Sequence, residues 1–235
     1  NSFTKQPVGE VTQLPAPTWV NQTEDGKSPI TGGDQYIVLN WRKIPNDSIL
    51  GGYVIYRTQD PTAGYTALDW ILLDQLSAPP SNVNCPTFSI DNPGYCDVSV
   101  TNGERYYYKI AAMDKGQTAG PQSVAQSTLL ALQRPQLIAP GSVTGETVTT
   151  DSPTFTWFPV NGNNVRYLIT LKEQSTQLTV WQNPEVESTS ATLPNTISLK
   201  QNGVYIWNVR AINALVQSEV SQTFKFTKGA SSQAP

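Results

Sequence analysis

The sequence predicts an all-β chain built as two β-sandwiches in tandem, and three observations predict it. One pattern is written twice. An apolar residue stands two positions before a tryptophan (Leu39-Asn40-Trp41; Phe155-Thr156-Trp157), and a strand-like alternation opened by tyrosine follows downstream (Tyr106, Tyr108, Ile110, Ala112; Tyr205, Trp207, Val209, Ala211). A chain of 235 residues has room for two cores, because length divided by roughly 150 already favours more than one. Charged residues make up only 14%, while Thr, Ser, Gln, Asn, Gly and Pro are abundant, which suits short strands joined by turns.

The elements follow in order. Residues 1–12 are polar, contain Pro7 and Gly9, and read as a tail. Leu14-Pro15-Ala16-Pro17-Thr18-Trp19 starts a first strand, its prolines suiting a sheet edge. A polar turn covers 21–33, and Tyr36-Ile37-Val38-Leu39-Asn40-Trp41 alternates as a half-buried strand should. Gly51-Gly52 punctuates, and Tyr53-Val54-Ile55-Tyr56-Arg57 is the next strand. The strand opened by Tyr106 ends near Met113, a hairpin loop spans 114–121, and a last strand covers 123–130. Leu132-Gln133-Arg134-Pro135 marks the boundary. The second copy repeats the order with strands at 155–158, 167–171, 178–181, 190–193, 204–212 and 220–226. Four segments result: a tail 1–12, a first domain 13–132, a second domain 133–228 and a tail 229–235.

The copies differ in length. Trp41 to Tyr106 spans 106 − 41 = 65 positions and Trp157 to Tyr205 spans 205 − 157 = 48, so the first domain carries 17 extra residues. That excess coincides with Cys85, Cys96 and the Ala78-Pro79-Pro80-Ser81 turn. In an oxidising compartment the two cysteines close a loop of 96 − 85 + 1 = 12 residues, worth about 3 kcal/mol in the chain-entropy model. Two reduced thiols in a cytosolic protein are the alternative, but a turn-rich β chain with two nearby cysteines favours the bridge and hence export to the cell surface, the medium or the periplasm.

Each copy ends its pattern on a corner: Val100-Thr101-Asn102-Gly103-Glu104-Arg105-Tyr106 and Leu199-Lys200-Gln201-Asn202-Gly203-Val204-Tyr205. With the tryptophan of the second strand and the Tyr-led third strand, these corners resemble the Leu-x-Pro-Gly-Thr-x-Tyr corner of fibronectin type III domains. Asn replaces Pro in the first, and the Thr is missing from both. The resemblance covers about residues 13–228, and Gly52-Tyr53-x-Ile55-Tyr56-Arg57 is similar in style to bacterial or archaeal surface copies. It implies two immunoglobulin-like sandwiches whose Trp41, Tyr106, Trp157 and Tyr205 fill the space between sheets, each corner hydroxyl bonding nearby backbone. It implies no particular activity.

Composition removes several functions. Histidine is absent, so Ser-His-Asp and Cys-His nucleophiles and His-based metal sites are excluded. No phosphate-binding glycine loop and no acidic pair stands out, and no cofactor is expected. Net charge is 15 − 18 = −3; residues 13–132 carry 7 basic and 11 acidic groups, and 133–228 carry 7 and 6. Without a basic stripe, nucleic acid and anionic membranes are not partners, and no apolar run is long enough to span a bilayer. Asn21-Gln22-Thr23-Glu24-Asp25-Gly26 clusters oxygen atoms but lacks the spacing of a calcium loop and reads as a solvated turn. Asn21-Gln22-Thr23 and Asn46-Asp47-Ser48 are formal glycosylation acceptors.

The remaining candidates are exposed aromatics. If Tyr53, Ile55, Tyr106 and Tyr108 face inward, Tyr56 and Tyr107 face outward on neighbouring strands and form a binding patch for a protein or a sugar. Trp70, Tyr65 and Tyr95, in or near the insertion, are weaker candidates, with packing of the insertion as the alternative. The reading is a non-catalytic extracellular structural or adhesion protein, a scaffold or subunit of a surface assembly that associates through its tails and sheet edges. The second reading is an accessory module of a polysaccharide-degrading system.

Overall fold

The computed structural model describes residues 13–45, 48–77 and 84–230. The tails 1–12 and 231–235, the 78–81 turn and Asn46-Asp47 lie outside the described residues. The chain divides into two compact units, Asn1–Val100 with Arg105–Leu129 and Thr101–Glu104 with Leu130–Pro235.

In the first unit a short helix α1 (Gln22–Asp25) precedes β1 (Ile30–Gly32), β2 (Ile37–Asn40), β3 (Leu50–Thr58), β4 (Thr66–Leu72), β5 (Gly94–Asp97), β6 (Arg105–Asp114), β7 (Ala119–Gln122) and β8 (Gln126–Leu129). A three-stranded sheet, ordered β1-β2-β5, faces a larger one ordered β4-β3-β6-β7, with β8 also on β6. The period of two decides the core. Ile37, Leu39 and Trp41 point in from the small sheet, and Tyr53, Ile55, Tyr106, Tyr108, Ile110 and Ala112 from the large one, all buried. Trp41 meets Tyr53 edge to face at 5.0 Å, a geometry favoured by the ring quadrupoles.

The second unit contains β9 (Leu137–Ala139), β10 (Thr147–Val148), β11 (Thr154–Trp157), β12 (Arg166–Glu173), β13 (Thr179–Val186), β14 (Ser190–Thr192), β15 (Val204–Ile212) and β16 (Phe224–Lys228). Sheets ordered β14-β11-β9 and β10-β16-β15-β12-β13 enclose Phe155, Trp157, Ile169, Leu171, Tyr205, Trp207, Val209 and Phe226. Phe155 packs edge to face on Trp207 at 4.9 Å, and Trp157 on Tyr167 at 5.3 Å. The Tyr205 hydroxyl accepts from the Lys200 backbone N–H at 2.8 Å, so the second corner closes as its sequence implies.

Several expectations change in three dimensions. The stretch Leu14–Trp19 forms no ladder; Trp19 makes only an isolated bridge to Trp41. The polar turn at 21–33 contains α1 and β1. Gly51 and Gly52 sit inside β3 rather than before it: a Cβ on Gly52 would stand 2.1 Å from the Ile71 carbonyl oxygen, so only glycine admits the neighbouring strand. The extra residues of the first copy concentrate in one connection. Between β4 and β5 run residues 73–93, against 187–189 between β13 and β14. Trp70 and Tyr95 therefore belong to the regular sheets and not to the insertion. The Cys85–Cys96 disulfide is present and ties that connection to β5.

The last strand of each copy is broken by a serine that the sequence reading passed over. Ser123 N–H donates to Ile110 O (2.7 Å), and the Ile110 N–H donates to the Ser123 hydroxyl (3.0 Å). Ser221 repeats this with Val209, at 2.8 and 2.9 Å. The hydroxyl stands in for a strand carbonyl, so the chain kinks without leaving a buried N–H unpaired.

Candidate functional site: the outer face of the first sandwich

Register places the outward residues. Tyr56 pairs with Lys109 on β6 and Ala67 on β4; Thr58 pairs with Tyr107, which pairs with Ser127; Val54 pairs with Trp70 and Ala111. Directly paired residues share a face, so Tyr56, Tyr107 and Trp70 stand on the side opposite the core. A register shift between Ile55 and Tyr56 leaves Leu68 as an extra residue on β4. This bulge is what brings both Ala67 and Trp70 to one face at a spacing of three.

Tyr56 and Tyr107 are half-buried, and Trp70 is 49% exposed. As a diagonal pair the two tyrosines are about 7–8 Å apart at the backbone. Tyr65, at the start of the β4 hairpin arm, adds a third ring: Lys109 Nζ lies 4.5 Å from its centroid, a cation–π contact. Partial burial, and then the nearby Tyr107 hydroxyl, hold the Tyr65 phenol above its usual range. Register thus puts Tyr56, Tyr107, Trp70 and Lys109 on one face of the large sheet, with Tyr65 against Lys109.

The same positions of the second sandwich are not aromatic. Matching Ile55↔Ile110 to Ile169↔Val209 aligns the ladders. Thr170 then stands at the place of Tyr56, Ile206 at that of Tyr107 and Asn208 at that of Lys109. The patch is a property of one copy.

The other sequence candidates are placed elsewhere. Trp41, Tyr106, Trp157 and Tyr205 are all buried, at 1%, 5%, 1% and 2% exposure. Tyr95 pairs with Leu39 and points inward. Burial first, then the carboxylates of Asp69 and Asp97, raise its phenol far above the ordinary value. In the 21–26 turn, Asn21 Oδ1 accepts from the Thr23 N–H and hydroxyl, and Arg42 holds both Glu24 and Asp25. Asn21, Glu24 and Asp25 thus each already meet a donor of the protein itself.

The sequence reading missed one buried polar cluster. Asp97, 1% exposed, accepts from Arg57 Nη1 (2.7 Å), the Tyr108 hydroxyl (2.8 Å), and the Ser99 N–H (2.9 Å) and hydroxyl (2.7 Å). The available signal was Tyr108 standing where the second copy has Trp207, an inward hydroxyl in need of an acceptor.

No family model and no curated protein matches the sequence. Solved structures do. A two-domain fibronectin type III segment of chicken tenascin superposes with a TM-score of 0.58 at 13% identity, covering 90% of this chain and 99% of that one. The chicken interferon gamma receptor alpha chain gives 0.48 at 12% identity, over 92% and 99%. The bacterial or archaeal style read from residues 52–57 draws no support from the tenascin match, which bears on the fold alone. With the sheet orders and the Tyr205 corner above, the superposition on tenascin identifies the fold: two tandem β-sandwiches of the fibronectin type III type.

Proposed function

We propose that the chain is a non-catalytic structural or adhesion module of an extracellular or cell-surface assembly, holding a protein partner on the outer face of its first sandwich. The observation that carries the reading is the set Tyr56, Tyr65, Tyr107, Trp70 and Lys109 on one sheet face, with Thr170, Ile206 and Asn208 at matching positions of the second copy. Aromatic rings are the side chains that concentrate binding energy at protein interfaces. The Cys85–Cys96 bridge supports export, and the absence of histidine supports a role without nucleophilic catalysis. The bacterial or archaeal surface origin belongs to this proposal and rests on the sequence style alone.

A second reading, an accessory carbohydrate-binding module of a secreted polysaccharide-degrading system, is favoured by the same rings, since sugar faces stack on them. One experiment separates the two. The full chain is passed over protein and polysaccharide fractions of its own cells' surface, beside a Tyr56→Ser, Tyr107→Ser variant. Retention on protein that is lost in the variant supports the first reading, and retention on polysaccharide the second. Retention on neither, or retention that the variant keeps, overturns the binding face.

A further inference from the structure

The outer face of the first sandwich carries a row of positive charge that the fold does not neutralise. Alternation along β6 sends Arg105, Tyr107 and Lys109 outward while Tyr106, Tyr108 and Ile110 enter the core. Arg105 is exposed, and Lys109 is half-buried against the Tyr65 ring. Among the described residues neither makes an ion pair, whereas Arg42, Lys43 and Arg57 of the same sandwich each meet a carboxylate. A ring holds an ammonium in place without supplying a counter-charge.

The carboxylates of β3, β4, β6 and the hairpin between β3 and β4 are engaged elsewhere. Asp60 accepts from the Thr62 N–H (2.9 Å) and hydroxyl (2.6 Å), and Asp114 from the Thr118 N–H (2.8 Å). Asp69 pairs with the inward Ile55 and accepts from the Trp70 N–H at 2.8 Å. Residues 13–132 together carry 7 basic and 11 acidic groups, so a cationic row on this sandwich is a matter of placement and not of composition. With Ile110 matched to Val209, the second copy has Val204, Ile206 and Asn208 in the row, with neither cation nor aromatic ring.

Spacing and charge together describe a partner. Arg105 and Lys109 stand four residues apart on one strand, about 14 Å, with Tyr107 midway. Thr58 and Ser127 pair with Tyr107 from its two sides and add hydroxyls beside the ring. The order cation, ring, cation thus repeats every ~7 Å, the repeat of side chains along one face of any extended peptide. An extended segment laid along β6 with acidic residues four apart sets one carboxylate opposite each cation and a middle ring opposite Tyr107, matching the face in charge and in period.

We propose that this face takes an acidic, extended segment of a protein partner, in the pattern acid-x-ring-x-acid. The inference rests on the binding face proposed above and names the chemistry of what it holds.

Fluorescence anisotropy of the full chain with a labelled peptide, Gly-Glu-Thr-Pro-Thr-Glu-Gly, tests it. The same peptide with Gln for both Glu, and labelled polygalacturonate as an acidic polysaccharide, are measured beside it. The acidic peptide is expected to bind, and the Gln peptide at least tenfold more weakly. Arg105→Gln and Lys109→Gln should each weaken the acidic peptide by up to about fivefold and together by about tenfold, the range of exposed ion pairs, and about 0.5 M salt should act in the same direction. Lys115→Gln, a cation beyond the end of the row, should leave binding unchanged. If Lys109→Gln lowers the melting temperature by releasing Tyr65, Arg105→Gln decides alone. No binding of the acidic peptide, equal binding of the Gln peptide, affinity that survives both substitutions, or binding of polygalacturonate alone overturns the proposal. The face itself is judged separately on the surface protein fraction: retention lost with Tyr56→Ser, Tyr107→Ser but kept with Arg105→Gln, Lys109→Gln leaves the face standing and removes the acidic partner.

Discussion

The Tyr108 hydroxyl donates to the Asp97 carboxylate at 2.8 Å in the interior of the first sandwich. Tyr108 belongs to β6 of the large sheet and Asp97 to β5 of the small one, so the bond crosses the core. Arg57 on β3 and the Ser99 backbone and hydroxyl complete the shell around the carboxylate. At the matching place in the second copy Trp207 fills the space and sends its indole N–H to the Pro140 carbonyl at 2.8 Å. One core is therefore closed by a polar cross-link and the other by an indole.

Removing the carboxylate leaves a cation and a buried hydroxyl without their acceptor. Asp97→Ala should destabilise the first sandwich by about 3–5 kcal/mol, and Tyr108→Phe by about 2 kcal/mol, the value of a bond to a charged group. Native-state hydrogen exchange on the full chain reads the two units separately. Equal loss of protection in both sandwiches, or none in the first, would contradict the cross-link.

The same cluster sets an alkaline limit. Burial first, and then the Asp97 charge and hydrogen bond, raise the Tyr108 phenol well above its ordinary value of 10.0, and Tyr95 is raised in the same direction. The folded state keeps both protons where the unfolded chain loses them. Their contribution is complete below pH 10 and declines as pH rises beyond it. Melting curves across the alkaline range should show the first unit losing stability before the second, with tyrosinate absorbance from the buried rings appearing only on unfolding. Tyrosinate signal from every tyrosine in the folded chain would refute this.

The disulfide holds the longest connection of the molecule to a core strand. Replacing Cys85 and Cys96 by Ser should cost the first unit about 3 kcal/mol and release residues 84–93 first, since Cys85 is their anchor to β5. Limited proteolysis followed by peptide mapping checks the order. Cleavage that begins anywhere in the second unit would rule it out.

Much of this fold is written in local pattern. The alternation from Tyr106 to Ala112 and from Tyr205 to Ala211 places each ring inside or outside without reference to any distant residue, because strand side chains alternate by geometry alone. Trp41 and Trp157 are core residues for the same reason. The outward placing of Tyr56 and Tyr107 follows by subtraction. Trp70 could not be placed so, since its face depends on the Leu68 bulge, and a bulge is decided by how one strand's length fits another's.

The sequence by itself determined the class, the doubling, the four core aromatics and the nearness of the two cysteines, all properties of spacing along the chain. Tertiary structure alone decided the rest. Gly51 and Gly52 joined a strand because carbonyls from neighbouring segments crowd them. Asp97 met Tyr108 because two sheets close on each other. Each outcome depends on a partner far away in sequence, and local propensity carries no information about that partner.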